Sequence, residues 1–438
     1  MIERALYNYL ALPLGLAGFR GFALFNAKAR RGVEQRKTLL AELKSKTDKL
    51  GPGKRVLVHV SSVGEYLQAR PILRLLRKNA PTLKIILSFY SPSLEPTVQK
   101  GMEAEFATYL PFDRPDEMAK FLDLVNPALI IFSCYDLWPN LIWQARARGI
   151  KVALVNANLA GNSGKLHPLA SWWFGRLYRE LDLILAASDE DRRALAILGA
   201  NPAKIITTGN ARFDETVDRI RAIAGDDPVV GALASWKDAP VFAIGSCWPE
   251  DEAVLLPALE KIWAAGKNLK IIMAPHEIEP GHIKQLSQKL ADMGAGPILF
   301  SEIEAKAKSP LPANKAVIID SVGKLYKLYK LADLAFVGGS FRKEVHNVME
   351  PAAFGIPVLL GPNIRNSLEA LKLTERKGAF VVQNTDEMFS QLRLFLDNEA
   401  ARRAAGRQAA ALVRDNQGAG EWTTRLLLEN FPEILGGR

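Results

Sequence analysis

Short, β-rich apolar runs alternate with longer amphipathic stretches along most of this 438-residue chain, and that alternation limits the fold more than any other feature. The first series of runs is Arg55–Val60, Lys84–Phe89, Phe106–Leu110, Ala128–Phe132, Lys151–Val155 and Leu183–Ala186. Among them lie Glu65–Lys78, Pro115–Val125, Trp138–Arg148 and Glu190–Leu198, whose apolar residues recur at helical spacing. Strands alternating with helices predict parallel sheets joined by crossover helices. A second series follows: Val241–Gly245, Leu269–Ala274, Pro297–Phe300, Ala316–Ile319, Leu334–Val337, Pro357–Leu360 and Ala379–Val382. A chain of this length exceeds what a single core usually supports. The expectation is an α/β protein of two Rossmann-like domains facing each other across a cleft. They occupy residues 31–222 and 240–415, and a C-terminal helix at 416–438 packs back toward the first. Ala222 to Ala239, rich in Gly, Asp and Pro, is the expected linker.

Residues 1–30 form the expected membrane-associated segment. From Ala5 to Phe25 the chain is largely apolar, with Tyr7, Tyr9, Phe19, Phe22 and Phe25, interrupted by Pro13, Arg20 and several glycines. Lys28, Arg30, Arg31, Arg36 and Lys37 follow. A spanning helix needs about 20 apolar residues, and this run reaches that length only if Arg20 snorkels. Aromatics beside a basic cluster suit a segment lodged in or across a membrane with an anionic face, the rest of the chain staying cytoplasmic. The alternative is a helix packed on the body of the protein.

A formal net charge of +10 calls for an anionic partner, whether nucleic acid, membrane surface or phosphorylated substrate. Nucleic acid is set aside because the basic residues are spread along the chain instead of interleaved with aromatics in one motif. Only two cysteines occur, Cys134 and Cys247, without metal-ligand spacing, and the five histidines form no ligand pair. No metal and no cofactor is therefore expected. Neither first strand runs into G-x-G-x-x-G or a Walker loop.

The densest motif runs from Phe336 to Pro362: a strand, the loop Gly338-Gly339-Ser340, a helix and a further strand. The two glycines let a ligand approach the backbone, and Asn347 can cap a helix that carries Glu350 in its first turn. Ligands of open α/β sheets sit beyond strand carboxyl ends, beside helix N-termini. A carboxylate there suits ribose or sugar hydroxyls, though it also complements the helix dipole. In the first half, Val56–Val60 leads into Ser61-Ser62-Val63-Gly64-Glu65, where Gly64 is expected to turn the chain and Glu65 to open a helix. Glu65 there can take a proton from an incoming hydroxyl or simply complement that helix. Arg70, further along the same helix, meets an acceptor phosphate or is a surface charge. Gly245-Ser246, Ala274-Pro275-His276 and Val322-Gly323-Lys324 end strands in the second half and can offer amides, an imidazole and a lysine to a phosphate. Asp189-Glu190-Asp191 looks like a metal-binding D-x-D, but Ser188 three residues before Asp191 reads as a helix cap.

At these residues the chain resembles the 3-deoxy-D-manno-octulosonic acid (Kdo) transferases of lipopolysaccharide assembly, which have the GT-B glycosyltransferase fold. The resemblance rests on Ser62-Val63-Gly64-Glu65, Gly209-Asn210 with Phe213-Asp214, Gly245-Ser246, Phe336 to Ser340, His346-Asn347 with Glu350-Pro351-Ala352-Ala353, and Pro357-Val358 with Gly361-Pro362. It implies an inverting, metal-independent enzyme that moves Kdo from CMP-Kdo to a lipid A precursor on the cytoplasmic face of the inner membrane. Glu65 would be the general base. Ser62, Gly64 and Arg70 would meet the acceptor. Gly245, Ser246, Ala274, Pro275, His276, Val322, Gly323, Lys324, Asn347, Val348, Met349 and Glu350 would hold the donor. Where the family has Pro-Arg-His-Pro, this chain has Ala274-Pro275-His276-Glu277, without the arginine. Another GT-B enzyme using a UDP- or GDP-sugar, or a non-catalytic nucleotide-sugar-binding protein, are the alternatives.

Overall fold

The computed structural model describes residues 2–99, 101–159, 164–236, 238–305 and 314–436. The chain divides into two compact units, one made of residues 1–215 with 417–438 and the other of 216–416.

The first unit is built on seven parallel strands: β1 (Arg55–Val60), β2 (Lys84–Phe89), β3 (Phe106–Tyr109), β4 (Leu129–Ser133), β5 (Lys151–Ala157), β6 (Leu183–Ala186) and β7 (Ile205–Thr207). Their order is β3-β2-β1-β4-β5-β6-β7. The topological switch point lies between β1 and β4, which pair from Val56↔Leu129 to His59↔Phe132. The strands are continuous apolar runs because helices cover both faces of the sheet. Successive residues therefore join opposite cores: Val56, Val58 and Val60 one, Leu57, Ile130 and Leu154 the other. β7 lies outside the six apolar runs, just before Gly209-Asn210. It is three residues long and ends in threonine, too short for periodicity to mark. The helix Ala419–Asn430 belongs to this unit, with Leu426 and Leu427 in its core. Asp214 anchors its start by accepting from the amides of Gly418 (2.6 Å) and Gly420 (2.8 Å).

The second unit repeats the plan with β8 (Val241–Cys247), β9 (Lys270–Pro275), β10 (Ile298–Leu299), β11 (Ala316–Ile318), β12 (Leu334–Val337), β13 (Val358–Leu360) and β14 (Ala379–Val381). The order is β10-β11-β9-β8-β12-β13-β14, with the switch point between β8 and β12. The expected linker is not a free tether. Asp227 caps the short helix Pro228–Gly231, and Val229, Val230, Leu233 and Trp236 are buried in the second unit's core. The residues that looked like punctuation form the cap, and the apolar ones between them pack. The division falls earlier, between Glu215 and Thr216.

The N-terminal segment is helical from Ile2 to Phe25, with a π-helical turn at Tyr7–Ala11. The Tyr7 hydroxyl donates to Asp113 (2.7 Å), Asn8 accepts from Asn140 (2.7 Å), and Phe19 packs on Tyr90 and Phe112. Ile2, Leu6, Tyr9, Leu10, Leu14, Phe22, Leu24 and Phe25 stay exposed. Among the described residues no helix is long and apolar enough to cross a membrane. Arg36 does not belong to the exposed basic flank. It is buried, donates to the carbonyls of Leu110, Gly32 and Tyr90, and lies over the Tyr90 ring.

Candidate functional site

Two groups of residues, one in each unit, occupy the strand ends at the switch points, where open α/β sheets bind ligands. In the first unit, Ser62 caps the helix Val63–Asn79 by accepting from the Glu65 amide (3.4 Å). The Glu65 carboxylate turns back to accept from the amide of Ser61, the residue before the cap (2.6 Å), so the turn is held from both sides. Gly64 therefore lies inside the helix instead of making the turn, which Ser61 and Ser62 make with an extended backbone at Ser62. Capping fixes the carboxyl in place, and burial does the rest. Glu65 is only 4% exposed, and desolvation pushes its pKa up to about 7. Asp136 pushes the same way, against the opposing pulls of the Ser61 amide and Lys165. A carboxyl poised near neutrality can take a proton from a hydroxyl and later release it.

The strand that leads into this turn carries a hydrogen-bonded histidine. His59 is buried and neutral, its pKa driven down to about 3 by desolvation. Its Nε2 accepts from the Trp138 indole (2.9 Å), so Nδ1–H is left to donate to Ser88 Oγ (3.0 Å). Cys134 (φ +72°) and Asn156 (φ +50°) end the neighbouring strands in the left-handed region, where non-glycine residues are uncommon and concentrate at functional sites. Arg70 departs from the expectation of an acceptor contact. Its guanidinium grips the buried Glu215 through Nε (3.0 Å) and Nη2, so it braces the helix from within.

In the second unit a cavity of about 260 Å³ opens at the ends of β8, β9 and β11. Of the residues expected to hold a donor, it brings together Ser246, Ala274, Pro275, His276, Val322, Gly323 and Glu350. Ser246 is held at φ +53°, a strained position for a residue with a side chain. The Ser321 hydroxyl, also in the lining, is buried with no hydrogen-bond partner among the described residues. Such an orphan costs stability unless a ligand satisfies it.

The remaining expected donor residues are placed differently. Lys324 pairs with Glu304 and lies over the Phe300 ring. Val348 and Met349 are core residues, each 1% exposed. Asn347 accepts from the Met349 amide (3.1 Å), just outside the helix Met349–Ala353, so it starts that helix without being its capping residue proper. Gly245 is small for an internal reason, since a Cβ there would lie 2.2 Å from the Tyr329 hydroxyl. The Gly338-Gly339 loop likewise approaches its own chain closely. A Cβ on Gly338 would meet Ser246 O at 2.4 Å, and one on Gly339 would meet Glu344 O at 2.2 Å.

Sequence alone did not reveal three features. Arg219 lines the cavity beside Glu350, 3.0 Å from its Oε1. Trp248 stacks on His276 (4.3 Å between centroids) and donates to His346 Nε2 (3.0 Å), while Arg342 covers its other face. Asp251, fully buried, accepts from the amides of Trp248, Gly339 and Phe341. The contacts that matter join residues distant in sequence, so local pattern does not mark them. Asp191 accepts from Leu159 (2.7 Å) and is capped by Ser188, so the D-x-D look-alike begins a helix as expected. Among the described residues no group of three or more His, Cys, Asp or Glu is placed to hold a metal.

Comparison with known proteins agrees with this architecture. The glycosyltransferase N-terminal family described as 3-deoxy-D-manno-octulosonic-acid transferase matches residues 28–215. The 3-deoxy-D-manno-octulosonic acid transferase of Haemophilus influenzae is 28% identical over 382 residues, covering 84% of this chain and 85% of the relative. Among solved structures, a Rickettsia africae glycosyltransferase superposes with a TM-score of 0.57 at 13% identity, covering 89% of this chain and all of that one. The UDP-GlcNAc 2-epimerase of Neisseria meningitidis superposes with a TM-score of 0.61 at 13% identity, covering 86% and 100%. At such identities the structures speak for the fold alone. Two parallel seven-stranded sheets of this topology define an α/β protein of GT-B type, and the chain is an enzyme of the glycosyltransferase class. Over residues 28–215 it matches the 3-deoxy-D-manno-octulosonic-acid transferase family, and it is similar to enzymes of that name over most of its length.

Proposed function

We propose that the chain is an inverting, metal-independent transferase that moves Kdo from CMP-Kdo to a hydroxyl of a lipid A precursor. The observation that carries this reading is the buried Glu65 carboxyl, raised to a pKa of about 7 at the switch point of the first sheet. The acceptor oxygen attacks the anomeric carbon as its proton passes to Glu65. The bond from that carbon to the phosphate oxygen breaks, and CMP leaves with the electron pair. Ser62 and Gly64, beside the carboxylate, would border the acceptor. In the second unit the Glu350 carboxylate would accept from ribose hydroxyls, while the strand ends at Ser246, Ala274–His276 and Val322–Gly323 would enclose the cytidine phosphate. Asn347 would act by setting the start of the helix that carries Glu350. The exposed apolar residues between Ile2 and Phe25, with the basic side chains that follow, support an interfacial seat on the cytoplasmic face of the inner membrane.

The pH dependence follows from Glu65. A base must be unprotonated, so the single-turnover rate is expected to be level above pH ~8 and to fall about tenfold per unit below pH ~6, on either side of the group's pKa of about 7. A profile flat between pH 5 and 8 would count against this base. The donor is tested by incubating the purified protein, with a chelator present, with freshly generated CMP-Kdo and a tetraacyl lipid A precursor. Mass spectrometry of the lipid should show added Kdo. Tighter binding of UDP or GDP than of CMP would reject the donor assignment.

A further inference from the structure

We propose that Arg219 receives the phosphate of the bound nucleotide, and that Glu350 holds the guanidinium in position for it. This rests on the reading of the second unit's cavity as a cytidylate site. Arg219 Nη1 lies 3.0 Å from Glu350 Oε1, and the guanidinium sits over the Tyr326 ring, 4.3 Å from its centroid. All three residues line the cavity, and among its described lining residues Arg219 is the only lysine or arginine. The two lysines nearest the pocket in sequence are committed elsewhere, Lys324 to Glu304 and Lys327 to Asp227. Ala274-Pro275-His276-Glu277 offers no arginine or lysine, so the cavity draws its positive charge from a different element.

The geometry suits a handover. The Arg219 and Glu350 side chains are 28% and 17% exposed, so both are largely desolvated at the edge of a cavity. A desolvated ion pair contributes little net stability, which makes it a poor reason by itself to keep two charges there. A carboxylate has lone pairs for two hydroxyls as well as a guanidinium, and the guanidinium has five donors in a fixed fork. The tyrosine ring lies against the guanidinium without taking its N–H donors, and those beyond the Glu350 contact can meet phosphate oxygens. The buried, unpartnered Ser321 hydroxyl lines the same cavity and offers a further donor. When the sugar–oxygen bond breaks, the leaving phosphate gains a second negative charge, so a cation placed on it holds the departing group more tightly than the bound donor.

The test compares nucleotide with nucleoside on the full-length protein, by calorimetry with CMP and with cytidine. Arg219→Gln is expected to weaken CMP about tenfold or more and to leave cytidine within about twofold. Arg219→Lys, which keeps the charge but loses the fork, should recover part of the CMP affinity. Unchanged CMP binding in Arg219→Gln overturns the proposal. So does an equal loss of CMP and cytidine, which would mean that Arg219 only shapes the cavity. Wild-type protein preferring UMP or GMP to CMP would reject the cytidylate reading alone. Arg219 would then be judged by the same comparison with the preferred nucleotide and its nucleoside.

Discussion

Glu65→Gln is expected to lower the rate of Kdo transfer by about 10²–10⁴-fold, the range that a positioned general base supplies, while leaving CMP binding unchanged. Glutamine is the informative replacement because its carbonyl oxygen can still accept from the Ser61 amide, at 2.6 Å in the native turn. Helix capping is then retained and proton acceptance is lost. Glu65→Ala removes both and should also cost about 1 kcal/mol of stability, as the loss of a cap does. The difference between the two variants separates the structural role of this carboxylate from its chemical one. Single-turnover transfer at pH 8 is the measurement, since the native carboxyl, with a pKa of about 7, is mostly ionised there. A glutamine variant within threefold of the native rate would show that Glu65 caps the helix and does nothing more.

Asp251→Ala should produce the largest loss of stability among the substitutions considered. The carboxylate is fully buried and accepts from three backbone amides, those of Trp248 (2.8 Å), Gly339 (2.7 Å) and Phe341 (3.1 Å). It thereby ties the end of β8 to the loop after β12. Alanine would strand all three amides, at about 1–3 kcal/mol for each that water cannot reach. The expected outcome is destabilisation of on the order of 3–5 kcal/mol, within the range of a broken buried network. CMP affinity should fall with it, because Ser246 and Trp248 sit on the segment that loses its anchor. Asp251→Asn keeps one acceptor oxygen and should lose less. Urea unfolding followed by circular dichroism decides the matter. A midpoint shift equivalent to less than 1 kcal/mol for the alanine variant would show that water or a rearranged loop satisfies those amides.

Both substitutions concern residues whose importance is unequally visible in one dimension. Glu65 stands out locally, because a strand, two serines and an acid at capping distance occur within ten positions. Asp251 looks like one of three acidic residues in the first turn of the helix Pro249–Ala264, as the helix dipole favours. Only the packed structure shows that it reaches Gly339 and Phe341, about ninety positions away. The glycines show the same dependence on distant segments. Gly338 and Gly339 have the look of a ligand loop, but the space that their missing Cβ atoms leave is filled by Ser246, Cys247, Glu344 and His346 of the same chain. In the sequence, Arg70, Lys324 and Arg36 read as charges open to a partner or to solvent. Each proves to be occupied, by Glu215, by Glu304 and by three backbone carbonyls.

By itself the amino-acid order determined the two strand–helix series, nearly all the strand positions and the Ser62–Glu65 capping turn. These follow from hydrophobic period and hydrogen bonding within a few residues. Tertiary structure alone decided which charges remain for chemistry. Arg219 meets Glu350 across 131 positions and Trp248 meets His346 across 98. A charge's partner depends on which distant segment the sheet order sets beside it, and burial, which moved the Glu65 pKa to about 7, exists only once those segments have packed.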